Sequence, residues 1–440
     1  MTKLKNITIA LLLGVISFSN CTSDDEISSE VHNDVRSENI YLDFNKWIYS
    51  EMNHDYLWRN DMPDSLSCDY NLAPVDFYKS LLSSKDRFSY CETNNSYRPS
   101  TEMTNIGYEY QEYQLSNGIV FSQVLIVTDP KLKAKGLKRG DVLISQPDES
   151  ILVRGIVVSD NIIPIDTLEA SSPFGDTQTV YMDSIFIRNS HKIGYLCYLQ
   201  FDGIEDLAPV FKKFYDAKID DIILDLRYNP GGYVSTCKYL SNSIVNESGY
   251  NEIFQQCTYN DIITREKEKE TGSGISINRF TVPDNGESVL GYPIYGLNLK
   301  RVFVLTSKNS ASASEAAIIS MRPFMNVIII GEQTYGKGVG SWTIRDDRYK
   351  YQLQPITMRY HNALMETTPE DGLEVDYYVP DGYSTSKKEI GDTDEPLLAT
   401  ALNLIIGKKV VTTSRAITTE GDNLHVHELG LPSFFRFHLE

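Results

Sequence analysis

The spacing of apolar residues along the chain changes from a helical period to a strand period near residue 100. Between residues 40 and 98, apolar side chains recur every three or four positions, as at Phe44 and Ile48, which is the helical spacing. Tyr108 and Tyr110 then begin an alternation of period two, which is typical of half-buried strands. The pattern predicts a helical N-terminal domain over residues 40–98, followed by a region rich in strands.

Beyond residue 189, apolar strand patterns alternate with amphipathic helical patterns. The runs 219–226 and 301–306 are almost continuously apolar, as in strands that are buried on both faces. Helical patterns at 208–217 and 234–245 flank the first of these runs. Such alternation predicts an α/β fold for residues 189–407.

The length of the chain and its polar stretches suggest several domains. A chain of 440 residues exceeds what one hydrophobic core usually fills, so we expect two or three domains. The polar stretch 246–296 is predicted to form surface loops with some strand. The tail, residues 408–440, is predicted to be either a docking strand or a loose end.

Residues 1–21 have the organisation of a secretory signal. Lys3 and Lys5 give a basic start, and residues 7–16 form an apolar run that is too short to cross a membrane. The run leads to Cys21 in a sequence that resembles a lipobox, so we expect lipid to be attached to this cysteine. Ordinary signal cleavage nearby is the alternative.

The composition changes again after the leader. Residues 22–39 are rich in Ser, Asp, Glu and Asn and are predicted to form a polar tether. The acidic residues 24–26 resemble an export signal of surface lipoproteins, although a solvated linker explains them equally well. We therefore expect the protein in the cell envelope of a Gram-negative bacterium, anchored by lipid to the outer membrane.

Charge and cysteine content exclude several classes of partner. The chain has 41 Lys and Arg against 60 Asp and Glu, a net charge of -19, which argues against nucleic acid as a partner. Six cysteines leave an odd number once Cys21 is set aside, so at least one thiol is unpaired. No His or Cys spacing fits a zinc site, and we predict neither a metal nor a cofactor.

Residues 99–188 contain a sequence motif that resembles part of a PDZ domain. Residues 134–144 give a short helix ending in Gly-Leu, an Arg-Gly-Asp turn and a strand. The alternative is an ordinary turn from a helix to a strand. PDZ domains bind a peptide's C-terminus by strand addition, and the resemblance implies a carboxylate-binding loop at Ile106, Gly107 and Tyr108.

A run of small residues follows the second apolar strand. Ser310, Ser312 and Ser314 lie between a strand ending at Thr306 and a helical pattern. A turn from a strand into a helix is a common position for a nucleophile. Ser312 and Glu315 also have the spacing of a helix capping box, so this run alone leaves both interpretations open.

Three motifs in order connect this run to a known family. Residues 225–232 read Asp-Leu-Arg-Tyr-Asn-Pro-Gly-Gly, residues 310–315 read Ser-Ala-Ser-Ala-Ser-Glu, and residues 331–338 read Gly-Glu-Gln-Thr-Tyr-Gly-Lys-Gly. Together they resemble the C-terminal processing peptidases, serine peptidases also called tail-specific proteases. The resemblance covers about residues 100 to 407. It implies an α/β multidomain protein with a crotonase-like peptidase core, a PDZ-like domain and a small N-terminal helical segment.

The resemblance also implies the roles of individual residues. Ser312 matches the family's nucleophile and Lys337, 25 positions later, matches its base. The backbone N–H of Ala313 and that of Gly231 or Gly232 would form the oxyanion hole. Ser310 and Ser314 would then be turn and helix-surface residues. The function implied is a serine endopeptidase that cleaves protein or peptide substrates near their C-termini.

One position departs from the family pattern. The family often has a glutamine four residues after the lysine, and this chain has Ser341. Glu315 is a second candidate for supporting Lys337, although an ionised carboxylate would favour the charged amine. Because of this departure, an alternative function stays open: a peptide-binding lipoprotein that retains the peptidase fold but does not catalyse turnover. A crotonase-type acyl-CoA enzyme would lack the Ser-Lys spacing. The prediction extends to protein or peptide substrates as a class, and it names neither an individual substrate nor an oligomeric state.

Overall fold

A computed structural model describes residues 41–93, 106–144, 151–170, 179–283, 288–346, 348, 350–410 and 426–430. The predicted leader with Cys21, the tether 22–39 and most of the tail lie outside these residues. Within them, no helix has the length and apolar character needed to span a membrane.

Short helices and many strands follow one another along the described residues. The α-helices are α1 Leu42–Asp55, α2 Pro74–Ser80, α3 Pro130–Ala134, α4 Leu207–Ala217, α5 Val234–Ile244, α6 Asp261–Thr271, α7 Ala313–Met321 and α8 Pro396–Ile405. The strands are β1 Tyr90–Thr93, β2 Tyr108–Leu115, β3 Val120–Val127, β4 Val142–Leu143, β5 Ile151–Val158, β6 Asn161–Glu169, β7 Val180–Arg188, β8 His191–Tyr198, β9 Asp221–Asp225, β10 Ile253–Tyr259, β11 Ser276–Arg279, β12 Ser288–Val289, β13 Tyr292–Pro293, β14 Arg301–Thr306, β15 Asn326–Gly331, β16 Val339–Ser341, β17 Ile344–Asp346, β18 Tyr351–Gln354, β19 Ile356–His361, β20 Tyr377–Tyr378 and β21 Val426–Leu429.

A six-stranded sheet with helices on both faces forms the centre of the molecule. Its strand order is β20-β15-β14-β9-β8-β7, parallel except for the antiparallel β7 at one edge. In β9, Ile222 and Leu224 pack with α4, α5 and α7, whereas Ile223 faces α8 on the other side. Burial on both faces explains the continuous apolar run of this strand, and the predicted α/β alternation is confirmed here.

A second six-stranded sheet, of order β21-β2-β3-β4-β5-β6, is antiparallel throughout. The strands β2 to β6 come from the region predicted to be rich in strands. The outer strand β21 comes from the C-terminal segment and pairs with β2. Of the two alternatives for the tail, residues 426–429 are therefore a docked strand, whereas residues 408–410 belong to no helix or strand.

The N-terminal helices pack against strands that lie between residues 339 and 354. Phe44, Ile48 and Phe77 from α1 and α2 share a buried cluster with Val339 of β16 and Leu353 of β18. The strand β1 also pairs with β18. The helical segment therefore covers the part of the chain that follows Lys337 directly.

The prediction of loops and strand for residues 246–296 was wrong in one place, because α6 lies there. Asn260 caps this helix by accepting hydrogen bonds from the N–H groups of Ile262 and Ile263, and Gly272 ends it with φ 80°. Only Ile263 of this helix is buried, so its sequence has no apolar stripe from which the helix could be predicted. The Asn cap and the closing glycine were the available signals.

Candidate active site

The Ser-rich run forms the turn between β14 and α7. Ser312 is the N-cap of α7 and has φ 55° and ψ -111°, a backbone conformation that is unfavourable for a residue with a side chain. Ser312 is partly exposed, whereas Ser310 and Ser314 are fully buried. Of these three serines, only Ser312 is therefore accessible to a substrate.

The two buried serines bond to backbone carbonyls. Ser310 Oγ donates to Leu226 O at 2.8 Å, which agrees with the turn role predicted for it. Ser314 Oγ donates to Asn229 O at 2.8 Å. The prediction that Ser314 lies on the helix surface was wrong, because the loop after β9 covers this side of α7.

Glu315 joins the serine turn to the lysine turn. Its Oε2 accepts hydrogen bonds from Ser312 N–H at 2.9 Å and from Lys337 N–H at 2.8 Å. Its Oε1 accepts from Thr334 Oγ1 at 2.5 Å and from Gly336 N–H at 2.8 Å. Ser312 and Glu315 also satisfy the capping-box pattern. Because both backbone nitrogens bond to one oxygen atom, the turns that carry Ser312 and Lys337 lie side by side.

The environment of Lys337 favours its neutral form. Burial lowers the pKa of Lys337 and outweighs the carboxylates of Glu315 and Asp86, which raise it. The residue keeps part of its surface accessible. The ring of Phe88 lies with its centroid 5.4 Å from Lys337 Nζ, and Phe88 in turn contacts Tyr335. The aromatic cover over the lysine therefore comes partly from the N-terminal segment.

The Gly-Gly loop lies directly against the serine turn. Gly231 has φ 112°, and a Cβ atom there would lie 2.8 Å from Ser312 Cβ and 2.9 Å from Ala313 N. Gly231 N–H donates to Asn229 Oδ1 at 2.9 Å. Of the two predicted candidates for the second oxyanion donor, Gly231 therefore has its N–H engaged, and Gly232 lies against the backbone of Phe201.

Ser341 lies on β16 and has a glutamine as its neighbour in space. Gln354 Nε2 donates to Ser341 Oγ at 2.8 Å, and Gln354 Oε1 accepts from Thr343 Oγ1 at 2.6 Å. Gln354 belongs to β18, so the amide arrives from a different strand. The supporting role predicted for Ser341 stays a prediction.

A buried arginine holds the base of the loop after β9. Arg227 is fully buried and bonds to both carboxylate oxygens of Asp225, at 2.9 Å each, and to both of Glu395, at 2.7 and 2.9 Å. Glu395 also caps α8 by accepting from Leu398 N–H. This cluster anchors the segment that leads to Gly231.

The loop predicted to bind a carboxylate begins β2. Gly107 O accepts hydrogen bonds from the N–H groups of Thr128 and Asp129 at 2.9 Å each. Ile106 is half-buried and Tyr108 is buried. The peptide-binding role of this loop stays a prediction. In the described part of the chain, no group of three or more His, Cys, Asp or Glu is arranged to hold a metal.

Several residues of the site were missed from the sequence. Asn229 positions the Gly-Gly loop and Thr334 shares the carboxylate of Glu315. Arg87 donates to the carbonyl oxygens of Gly336 and Glu370 at 3.2 and 2.8 Å. Asn229 and Thr334 lie inside the motifs of residues 225–232 and 331–338, so those motifs were an available signal. Arg87 gave no signal, because its partners are distant in sequence.

Comparison with known proteins adds the family. The model of the peptidase S41 N-terminal domain matches residues 43–90, and that of peptidase family S41 matches residues 192–379. The carboxy-terminal processing protease CtpB of Bacillus subtilis is 23% identical over 150 residues, which are 34% of this chain and 26% of that protein. A CtpA-like serine protease of Staphylococcus aureus is 21% identical over 311 residues, which are 66% of this chain and 55% of that protein.

A solved structure that covers most of the chain has a similar fold. The crystal structure of a protein described as an S41 protease of Bacteroides fragilis is 25% identical, with a TM-score of 0.68. The match covers 82% of this chain and 97% of that one. By contrast, the chain spans only about a quarter of the Bacillus relative and about half of the Staphylococcus relative. With its matches to both S41 domains and to carboxy-terminal processing proteases, the chain belongs to peptidase family S41, a family of serine-type peptidases.

Proposed function

We propose that the protein is a serine endopeptidase in which Ser312 is the nucleophile and Lys337 the general base. One observation carries the proposal: Ser312 is the only accessible serine of its run, and its N–H shares one oxygen of Glu315 with the N–H of Lys337. The shared oxygen holds the two residues next to each other. The strained backbone of Ser312 presents its side chain at the start of α7.

The reaction follows from the roles of these groups. Neutral Lys337 Nζ takes the hydroxyl proton while Ser312 Oγ bonds to the carbonyl carbon of a peptide. The N–H groups of Ala313 and Gly232 stabilise the oxyanion, helped by the N-terminus of α7. When the C–N bond breaks, Lys337 returns the proton to the leaving amine. Water then hydrolyses the acyl-enzyme, with the amine again acting as base.

Burial of Lys337 is the electrostatic requirement of this mechanism. An unperturbed lysine has a pKa of about 10.4 and would be almost fully protonated near neutral pH. Removing the amine from water disfavours the charged form, and this effect dominates at Lys337. The nearby carboxylate of Glu315 acts in the opposite direction, and burial raises its own pKa. Glu315 therefore serves to position the two turns rather than to activate the amine.

The test is active-site labelling with a fluorophosphonate probe, followed by hydrolysis of fluorescein-labelled casein. Ser312→Ala should lose both labelling and hydrolysis, and Lys337→Ala should lose hydrolysis. Ser273→Ala and Lys300→Ala are matched controls, since both residues are exposed and lie outside the site. Hydrolysis that survives Ser312→Ala would overturn the assignment. The alternative of a binding protein without turnover requires that wild-type protein stays unlabelled.

We also propose a finer division of the fold. Residues 189–407 would be a crotonase-like core, supported by the parallel sheet with helices on both faces. The sheet of β2 to β6 would be a PDZ-like domain that presents substrate C-termini. Mass spectrometry of protein C-termini, in cells with active protein and with Ser312→Ala, tests the preference. Cleavage sites scattered evenly along substrates would contradict it.

Export and lipid anchoring complete the proposal. They are supported by the basic start, the short apolar run and the lipobox-like end of residues 1–21. We infer that Cys21 carries lipid and holds the protein at the outer membrane. Metabolic labelling with an alkyne fatty acid should label the protein, and Cys21→Ser should abolish the label. A wild-type protein without label would contradict anchoring while leaving the peptidase assignment intact.

A further inference from the structure

The edge of β2 is occupied by the chain's own C-terminal segment. The strand β21 pairs antiparallel with β2, with Leu429 opposite Glu112 and Val426 opposite Leu115. Gln111 Nε2 donates to Leu429 O at 2.8 Å and thereby holds the end of the strand. The other edge of β2 pairs with β3. The strand β21 therefore fills the position at which this edge could accept another extended chain.

The same segment reaches the serine turn. Lys308, four residues before Ser312, forms an ion pair with Glu428 of β21. A cleft lies between them, lined by Gln111 and Tyr113 of β2, by Asn309 of the serine turn, and by Lys308 and Glu428. The edge of β2 and the turn of the nucleophile are thus walls of one cleft.

Two buried amide oxygens in this cleft lack hydrogen-bond partners. Gln111 Oε1 and Asn309 Oδ1 accept no hydrogen bond within the described residues, although the side chains are 1% and 4% exposed. A buried acceptor without a donor is costly, so these atoms need a donor from water or from a bound chain. The N–H groups of an extended polypeptide are donors of the required kind.

The strand β21 is short and none of its residues is fully buried. Within it, Val426 and Leu429 are half-buried, whereas His427 and Glu428 are exposed. Its ion pair with Lys308 is partly exposed on both sides, and such pairs stabilise weakly. A short strand with little buried apolar surface opens at low cost, so it is suited to exchange with a competitor.

We propose that residues 426–430 occupy, within the same chain, the edge along which an extended substrate polypeptide binds, and so compete with substrate. The inference rests on the proposed peptidase function. Substrate would add to β2 as an antiparallel strand, give N–H groups to Gln111 and Asn309, and lead on to Ser312. A substrate with an acidic residue at the place of Glu428 would also regain the ion pair with Lys308.

A reversible lock tests the competition. Gln114 and His427 lie directly opposite each other and neither is buried, so Gln114→Cys with His427→Cys should form a disulfide that holds β21 in place. In a Ser312→Ala background, oxidation should raise the Kd for fluorescein-labelled casein, measured by fluorescence anisotropy, by about tenfold or more. Reduction should restore binding. An unchanged Kd with the disulfide verified by mass would overturn the proposal.

The binding readout separates this proposal from the proposed function, because Ser312→Ala binds without turnover. If wild-type protein is neither labelled nor hydrolytic, the peptidase assignment fails, whereas the lock still decides whether β21 covers a polypeptide site. The matched control is Ile156→Cys with Ile163→Cys, an exposed opposite pair on the β5–β6 hairpin of the same sheet. Its oxidation should leave the Kd for casein unchanged.

A charge reversal gives a second test without a disulfide. Glu428→Lys replaces the ion pair with two like charges and should release β21. The KM for labelled casein should fall by about three- to tenfold with kcat unchanged. Losing a partly exposed ion pair and gaining a repulsion in its place weakens the docking of β21 by up to about this factor. His427→Lys places the same positive side chain at the neighbouring exposed position and should leave KM unchanged. Equal KM values for Glu428→Lys and wild type would count against the competition.

Discussion

Glu315→Gln changes one atom at the carboxylate that joins the two halves of the site. The four groups that donate to Glu315 are Ser312 N–H, Lys337 N–H, Gly336 N–H and the Thr334 hydroxyl. A carboxamide has one acceptor oxygen, so its NH₂ group must face two of these donors in either orientation. The less costly orientation places NH₂ against Thr334, whose hydroxyl can turn, and leaves Gly336 N–H unpaired.

The magnitude follows from these contacts. An unpaired buried N–H costs about 1 to 3 kcal/mol. The hydrogen bonds from Ser312 N–H and Lys337 N–H would then have a neutral acceptor instead of a charged one, which weakens each by roughly 1 kcal/mol. Relief of the buried charge offsets part of this loss. We therefore expect the free energy of unfolding to fall by about 2 to 4 kcal/mol.

Glu315→Gln should also change the pH dependence of activity. The base must be neutral, so kcat/KM rises with pH through the pKa of Lys337. The charge of Glu315 raises that pKa, and its removal should lower it. The acidic limb of the pH profile should therefore move to lower pH, even though the protein becomes less stable.

The assay combines unfolding in urea, followed by tryptophan fluorescence, with kcat/KM measured on a peptide from pH 5 to pH 9. Glu374→Gln makes the same chemical change at an exposed position and should alter neither quantity. If Glu315→Gln is as stable as wild type and the acidic limb of its pH profile does not move, Glu315 is protonated in the native protein. That result would refute the role of an ionised carboxylate accepting four hydrogen bonds.

Three further outcomes are expected. Gly231→Ala should lower kcat/KM by about a hundredfold, because the new Cβ would lie 2.8 Å from Ser312 Cβ and 2.9 Å from Ala313 N and would displace the serine turn. The control is Gly118→Ala, since Gly118 has φ 90° and open space around it, and this variant should keep full activity. Arg227→Met leaves two buried carboxylates unpaired and should cost about 3 to 5 kcal/mol of stability in urea unfolding, so a loss below about 1 kcal/mol would contradict the anchoring role. Lys337→Arg keeps the positive charge but cannot deprotonate, so turnover should fall by about 10²- to 10⁴-fold at every pH tested, and a variant that regains activity at high pH would argue against a lysine base.

The local sequence is enough to predict the central elements and to single out the candidates for the reacting residues. The strands β9 and β14, the helix α7 and the glycine-rich turns were predictable because each is encoded by a local period or motif. The order of three motifs further pointed to Ser312 and Lys337 before any geometry was known. What the local pattern missed was α6, since a helix with one buried residue has no apolar stripe.

Which groups meet at the site depends on tertiary packing. Phe88 covers Lys337 from the N-terminal segment, Gln354 bonds to Ser341 from another strand, and β21 lies on β2. None of these partners is close in sequence, so no local spacing predicts them. The chain brings them together because each element buries its apolar face against the others, and that choice is made by the whole fold.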